Sequence, residues 1–182
     1  GIWIPPLLHC GRGGQGVRAS GMTSEDSLPL LPSRNRRRLD SLWLERLRAD
    51  GWRAYLSEPS APPAAFLRAI QEFNEGKFWH CQETLEELWR PTPYPLRLFY
   101  QGVIKMAVGF HHLGRRNRRG AVSLLSGSLA CLEPFRPEFM GVRTEALARE
   151  AEAWLARLAV HEEPPWEDLD RLPRPRIALP DI

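Results

Sequence analysis

LRLFYQGVIKMAVGFHHLG, residues 96–114, decides the fold. At 100° per residue its apolar side chains fall on nearly every side, so it lacks the polar stripe of a surface helix. Pro95 stands where the first turn begins and Gly114 where the last one ends, the usual asymmetry of helix punctuation. A helix that is apolar all round is buried, and burial on all sides needs other helices around it. The stretch therefore predicts the central helix of an all-α bundle.

Working outward, KFWHCQETLEELWR (77–90) is a helix stopped by Pro91, and PTPYP (91–95) is a short rigid loop into the central helix. On the other side Asn117 can cap RRGAVSLLSGSLACLE (118–133), which must end near Pro134. Before these, AAFLRAIQEF (64–73) follows Ser60, Pro62 and Pro63. It carries Phe66, Ile70 and Phe73 on one face and closes at 74–76. LDSLWLERLRADGW repeats Leu39, Leu42, Trp43 and Leu47 at helical spacing up to Gly51, and VRTEALAREAEAWLARLA (142–159) does so with Val142, Leu147, Trp154, Leu155 and Leu158. The expectation is a compact bundle of about five or six helices with short turns over 39–160. A Pro-rich tail, 161–182, packs extended on its surface.

The 182 residues are 43% hydrophobic and 26% charged, which suits one globular domain and excludes collagen-like or wholly disordered polymers. No apolar run approaches the roughly 20 residues that span a bilayer, and no basic region followed by an apolar one opens the chain, so the reading is cytoplasmic without membrane partners. Cys10, Cys81 and Cys131 have no CxxC spacing and are odd in number, so reduced thiols are expected. The net charge of +3 is unevenly placed: residues 1–38 hold six Arg against Glu25 and Asp26, while the remainder is close to neutral. That leading segment mixes Gly, Pro and Ser without period and is expected to be a basic disordered tail, with Met22 an alternative start.

On the 77–90 helix, Phe78, Cys81, Leu85 and Trp89 form one stripe with Gln82 inside it and Glu86 at its flank. Glu83, Glu87 and His80 lie opposite, on the solvent side. If the 91–95 loop joins antiparallel helices, Glu86 stands about 7 Å from the turn, level with Tyr100 and Gln101, which become its candidate partners. His111 lies about 16 Å further along, nearer Asn74 and Glu75. It shares a face with Tyr100, Ile104 and Ala107 and is expected to point inward and hold the 73–76 turn, while His112 shares one with Gln101 and Lys105.

FNEGKFWHCQETLEELWR (73–90) followed by LFYQGVIKMAVGFHHLGRRNRRGAVSLLSGSLACL (98–132) resembles the bacterial and archaeal family catalogued as domain of unknown function 309. The resemblance implies an all-helical fold with no assigned activity. The family pattern centres on HxxxExxW, preceded by an FN turn and followed by a YQG helix and an N-x-x-GA segment. Glu86 and Trp89 match its Glu and Trp, and Gln82 stands where the family has His. Gln is a poor transition-metal ligand, and His80, about 200° round the helix from Gln82, does not replace the missing imidazole.

No HExxH, Cys/His grid, phosphate-cradling loop or nucleophile elbow is present, and GRGGQG (11–16) lacks a strand and helix around it. No cofactor or metal is implied. The favoured function is a noncatalytic binding or self-associating module, in which Gln82, Glu86, Trp89, Tyr100 and Gln101 form a buried polar network or ligand site. An alternative is a metal-assisted or small-molecule enzyme with Glu86 as base or ligand, helped by Glu83, Gln101 or His111; it requires a cleft there. A further alternative is nucleic-acid binding through Arg34, Arg36, Arg37 and Arg38 together with Arg115, Arg116, Arg118 and Arg119, which requires the two clusters to share a face.

Overall fold

The computed structural model describes residues 33–179. Residues 1–32, with Cys10, Met22, GRGGQG and most of the basic leading segment, lie outside them, as do residues 180–182 and the side chain of Arg34. Among the described residues there are seven α-helices and no named strand. They are α1 (Ser33–Asp50), α2 (Ala64–Asn74), α3 (Phe78–Trp89), α4 (Leu96–Gly114), α5 (Arg118–Leu132), α6 (Thr144–Ala159) and α7 (Trp166–Arg171).

The breaks between helices follow local chemistry. Gly76 at φ 75° turns the chain between α2 and α3, a left-handed conformation that glycine adopts without steric cost. The Asn117 side chain accepts from the Gly120 N–H at 2.9 Å and so caps α5, as its sequence position suggested. Thr144 opens α6 with its hydroxyl donating to the Phe135 carbonyl at 2.7 Å, deep in the core.

α4 is the centre. It packs against α3 on one side and α5 on the other, with α2 on α3 and α6 on α5. The approach of α4 to α5 depends on glycine: a Cβ on Gly102 would stand 2.6 Å from Leu132 Cδ2, and one on Gly109 would stand 2.8 Å from Leu125 Cδ2. Two leucines spaced seven apart thus fill two gaps spaced seven apart on the facing helix. The Ser128 hydroxyl, between those leucines, donates to the Gly102 carbonyl at 2.6 Å. At one end of α4, Phe99 packs with Phe66, Phe135 and Phe139 at ring separations of 4.8–5.7 Å. At the other, Phe110 packs with Phe73, Phe78 and Trp154 at 5.8–6.2 Å.

Three expectations need correction. The helix expected from residue 39 begins at Ser33, so residues 36–38 are helical; Arg is a good helix former, and this propensity carries the helix back through the charge run. Leu42 does not face the core: it is 41% exposed, and the inward side of α1 is Trp43, Leu44 and Leu47 with Asp40 in line. Finally, the tail contains a helix, α7, and is partly core, with Leu169 and Ile177 buried. Asn74 holds it by a reciprocal pair: the Ile177 N–H donates to Asn74 Oδ1 at 2.7 Å, and Asn74 Nδ2 donates to the Ile177 carbonyl at 2.9 Å.

Candidate functional site

The side chains singled out on α3 are buried, but their partners differ from those expected. Gln82, 2% exposed, donates from Nε2 to Glu86 Oε1 at 2.8 Å one turn along the same helix. The other oxygen, Oε2, accepts from the exposed Arg90 at 3.0 Å, another turn further on. The Glu86 carboxylate is thus 7% exposed with both oxygens engaged on its own helix. Tyr100 is instead an aromatic core residue against Phe66 and Phe99, and burial pushes its hydroxyl pKa up. Gln101 turns to α1, donating from Nε2 to Asp40 Oδ2 at 3.1 Å.

Asp40 is the residue that sequence reading missed. It accepts from Gln101 and also from the Tyr94 hydroxyl. The Tyr94 pKa is raised by burial first and then by this bond to a carboxylate. The signal was present: Asp40 lies three, four and seven residues before Trp43, Leu44 and Leu47, which puts it on the face those residues bury.

Around this pair, α1, the 91–95 loop and the start of α4 build an alternation of arginines and aromatic rings. Arg36 lies 5.4 Å and Arg97 3.9 Å over the Trp89 ring, Tyr94 stacks on Trp43 at 6.1 Å and 2°, and Arg46 covers Trp43 at 5.1 Å. Trp89 is 4% exposed. Its indole N–H and the Arg97 Nε–H are both buried with no acceptor among the described residues. Arg97 has no carboxylate at ion-pair distance among them either, and burial lowers its pKa.

The remaining candidates are dispersed. Glu83 is exposed on the opposite side of α3. The histidine assignment is reversed: His112 is the buried one, 6% exposed, while His111 is half-buried with its ring 5.6 Å from Trp79. His112 Nδ1 meets Asn117 Nδ2 at 2.9 Å, and a Cβ on Gly120 would stand 2.8 Å from the His112 ring. The start of α5 therefore covers that face of α4. Both imidazoles have lowered pKa values, through burial first and Arg115 as a further cause. The 73–76 turn is held by Ile177, not by His111.

The arginine clusters sit at opposite ends of α4, since Arg36 meets Arg97 across Trp89 and residues 115–119 follow the helix C-terminus, about 27 Å away along the axis. Arg116 pairs with Asp170 at 2.9 Å and Arg118 donates to the Leu158 carbonyl at 2.8 Å. Among the described residues no three His, Cys, Asp or Glu side chains converge as a metal-binding set. A cleft of about 370 Å³ lies elsewhere, between the loop before α2 (Glu58, Pro59, Ser60) and the Met140–Gly141 turn. No helix among the described residues is long and apolar enough to cross a membrane.

Comparison with known proteins agrees with the sequence reading. Uncharacterized protein YpuF of Bacillus subtilis (strain 168) is 33% identical over 73 residues, 39% of this chain and 42% of the relative. The chain thus spans less than half the length of the curated relative it matches. Residues 66–124, which hold most of α2, all of α3 and α4 and the first half of α5, match the family model described as Domain of unknown function (DUF309).

Proposed function

We propose that this chain is a noncatalytic helical binding module that recognises an acidic partner at the corner where α1 meets the α3–α4 turn. The observation that carries the reading is Arg97, a half-buried guanidinium stacked on Trp89 with no carboxylate at ion-pair distance among the described residues. Asp40 acts on it only from beyond ion-pair distance, and a buried charge compensated at a distance is costly. A carboxylate brought by a partner to the exposed edge of the Arg97 guanidinium adds to its counter-charge, and Arg36 and Arg46 extend the same cationic surface along α1. The aromatic rings between them keep the guanidinium planes in place, so less side-chain entropy is lost on binding.

An enzyme built on Glu86 gains less support. A general base must reach its substrate, and Glu86 is 7% exposed with its carboxylate turned to Gln82 and Arg90 of its own helix.

The test is fluorescence anisotropy with two labelled probes, a poly-glutamate peptide and a single-stranded oligonucleotide, each titrated at low and high salt. The reading expects saturable binding of the acidic peptide that weakens with salt and falls at least tenfold in the Arg36→Gln/Arg97→Gln double variant. Glu83→Gln, exposed on the far side of α3, leaves it unchanged. Binding of the oligonucleotide alone, lost in Arg115→Gln/Arg119→Gln, transfers the function to the other end of α4 and to nucleic acid. Binding of neither probe refutes both. Sedimentation over a concentration series tests the homo-oligomer expectation independently.

A further inference from the structure

We propose that the outer face of α1, beside the cationic corner, is a docking strip for an extended acidic peptide that carries an apolar side chain between two carboxylates. The inference rests on the acidic-partner reading above and adds which kind of acidic partner fits. Leu42 and Tyr55 carry it. They are 41% and 36% exposed, two of the four large apolar side chains left open among the described residues, and both border the half-buried Trp43. Leu42 stands next to it on α1, and the Tyr55 ring meets it edge-on at 5.3 Å. Apolar side chains exposed singly are ordinary, whereas a contiguous group of them points to a contact surface.

Tyr55 is also held in place. Gly51, at φ 77°, turns the chain at the end of α1, and the Tyr55 hydroxyl donates to the Asp50 carboxylate. The ring is therefore fixed before a partner arrives, and a fixed aromatic ring loses little side-chain entropy on binding. Trp, Tyr and Arg are the residue types most enriched where interfaces gain their affinity. Trp43, Tyr55 and Arg46 meet here, with the Arg46 guanidinium 5.1 Å over the Trp43 ring.

Charge and spacing select the occupant. Residues 36–55 contain six arginines and three carboxylates. Asp40 is engaged by Tyr94 and Gln101 and Asp50 by Tyr55, so the outer face stays cationic despite Glu45. Arg38 and Arg46, both exposed, stand one turn before and one turn after Leu42, which places an apolar side chain between two guanidiniums at intervals of about 6 Å along the helix. In an extended peptide, side chains on one face recur at about 6.6 Å. A Glu-x-Leu-x-Glu segment lying along α1 thus sets its leucine against Leu42 and Tyr55 and a carboxylate on each arginine. A nucleic acid meets the arginines but brings no aliphatic side chain for Leu42.

The experiment titrates the full chain into labelled Gly-Glu-Ser-Leu-Ser-Glu-Gly, the same peptide with serine for leucine, poly-glutamate and a single-stranded oligonucleotide, and follows anisotropy. The leucine peptide is expected to bind roughly tenfold tighter than its serine analogue, as burial of one leucine side chain supplies. Leu42→Ser removes that difference and leaves the serine peptide and poly-glutamate binding as before, with a circular-dichroism melt to check that the variant is folded. Arg38→Gln/Arg46→Gln weakens both short peptides. Equal binding of the two short peptides, or a difference that survives Leu42→Ser, overturns the strip and leaves the acidic-partner reading standing if poly-glutamate still binds. Binding of no acidic peptide overturns both. Self-association lost in Leu42→Ser, or oligonucleotide binding lost in Arg38→Gln/Arg46→Gln with no peptide bound, gives the strip another occupant and overturns the proposal as well.

Discussion

Replacing Gly102 with alanine is expected to destabilise this protein although alanine is the better helix former. At a helix position with open space the exchange gains about 0.5–1 kcal/mol, because glycine loses more backbone freedom on folding. At Gly102 the added methyl would stand 2.6 Å from Leu132 Cδ2, 2.7 Å from its Cγ and 3.2 Å from Cys131 Cβ. Leu132 is fully buried and cannot swing into solvent. The helices must part, which also stretches the 2.6 Å bond from Ser128 to the Gly102 carbonyl. Overpacking of this kind costs about 1–3 kcal/mol, so the net change is a loss on the order of 1 kcal/mol, roughly 2–4 °C in Tm for a chain of this size. Gly114→Ala is the control, at the end of the same helix with nothing within 4 Å of a new Cβ; it should raise stability slightly. A third variant sharpens the test: in a Leu132→Ala background the Gly102 methyl partly refills the vacated volume, so the exchange becomes neutral or stabilising. Chemical denaturation of the four proteins reads the cycle. If Gly102→Ala stabilises the wild type as much as Gly114→Ala does, the close approach of α4 and α5 is wrong.

Three further outcomes are expected. Trp89→Ala should cost about 3–5 kcal/mol in urea unfolding, as truncation of a large core ring, and an unchanged midpoint would place Trp89 outside the core. Asn74→Ala removes both bonds to Ile177 and should cost about 1–3 kcal/mol, with limited proteolysis cutting within 172–179 before any other described segment; uniform resistance there would show that Asn74 does not hold the tail. His111 and His112 have folded-state pKa values below their usual one, so the unfolded chain takes up protons first. Their contribution to stability is full above about pH 6.5 and is lost as pH falls through the lowered folded values. His112→Gln should therefore flatten the fall in Tm between about pH 7 and 5, and parallel profiles for variant and wild type would refute the assignment.

Helix positions were legible because their signals are local. Pro91 and Pro134 cannot continue a helix, Gly76 takes the left-handed turn, Asn117 caps, and the apolar period between them is read along the chain without reference to any partner. The all-round apolar character of 96–114 likewise identified the central helix, since nothing but neighbours on every side can cover it. Gln82, Glu86 and Trp89 were found as a buried set by the same rotation of 100° per residue.

Partner choice was not legible, because a helical wheel gives a side chain's direction and not what stands opposite. Level along the hairpin matched Glu86 with Tyr100 and Gln101, but Gln82 and Arg90 on its own helix took both carboxylate oxygens, and Gln101 went to Asp40 of a helix about sixty residues earlier. Periodicity pointed to His111, which shares a face with Tyr100, Ile104 and Ala107, but on a helix apolar nearly all round the face of His112 can be covered as well. The start of α5 decided it by covering His112, and it can lie there because Gly120 has no side chain to keep it off the imidazole. The sequence by itself determined where the helices between residues 64 and 159 lie and which one must be central, since those depend on backbone conformation and the period of apolar residues, whereas the start of α1 and the presence of α7 were not read from it. Only the tertiary structure decided which polar groups meet, because that depends on how closely helices far apart in sequence approach, and here the approach is set by the three glycines 102, 109 and 120, each filled by a residue of another helix or turn.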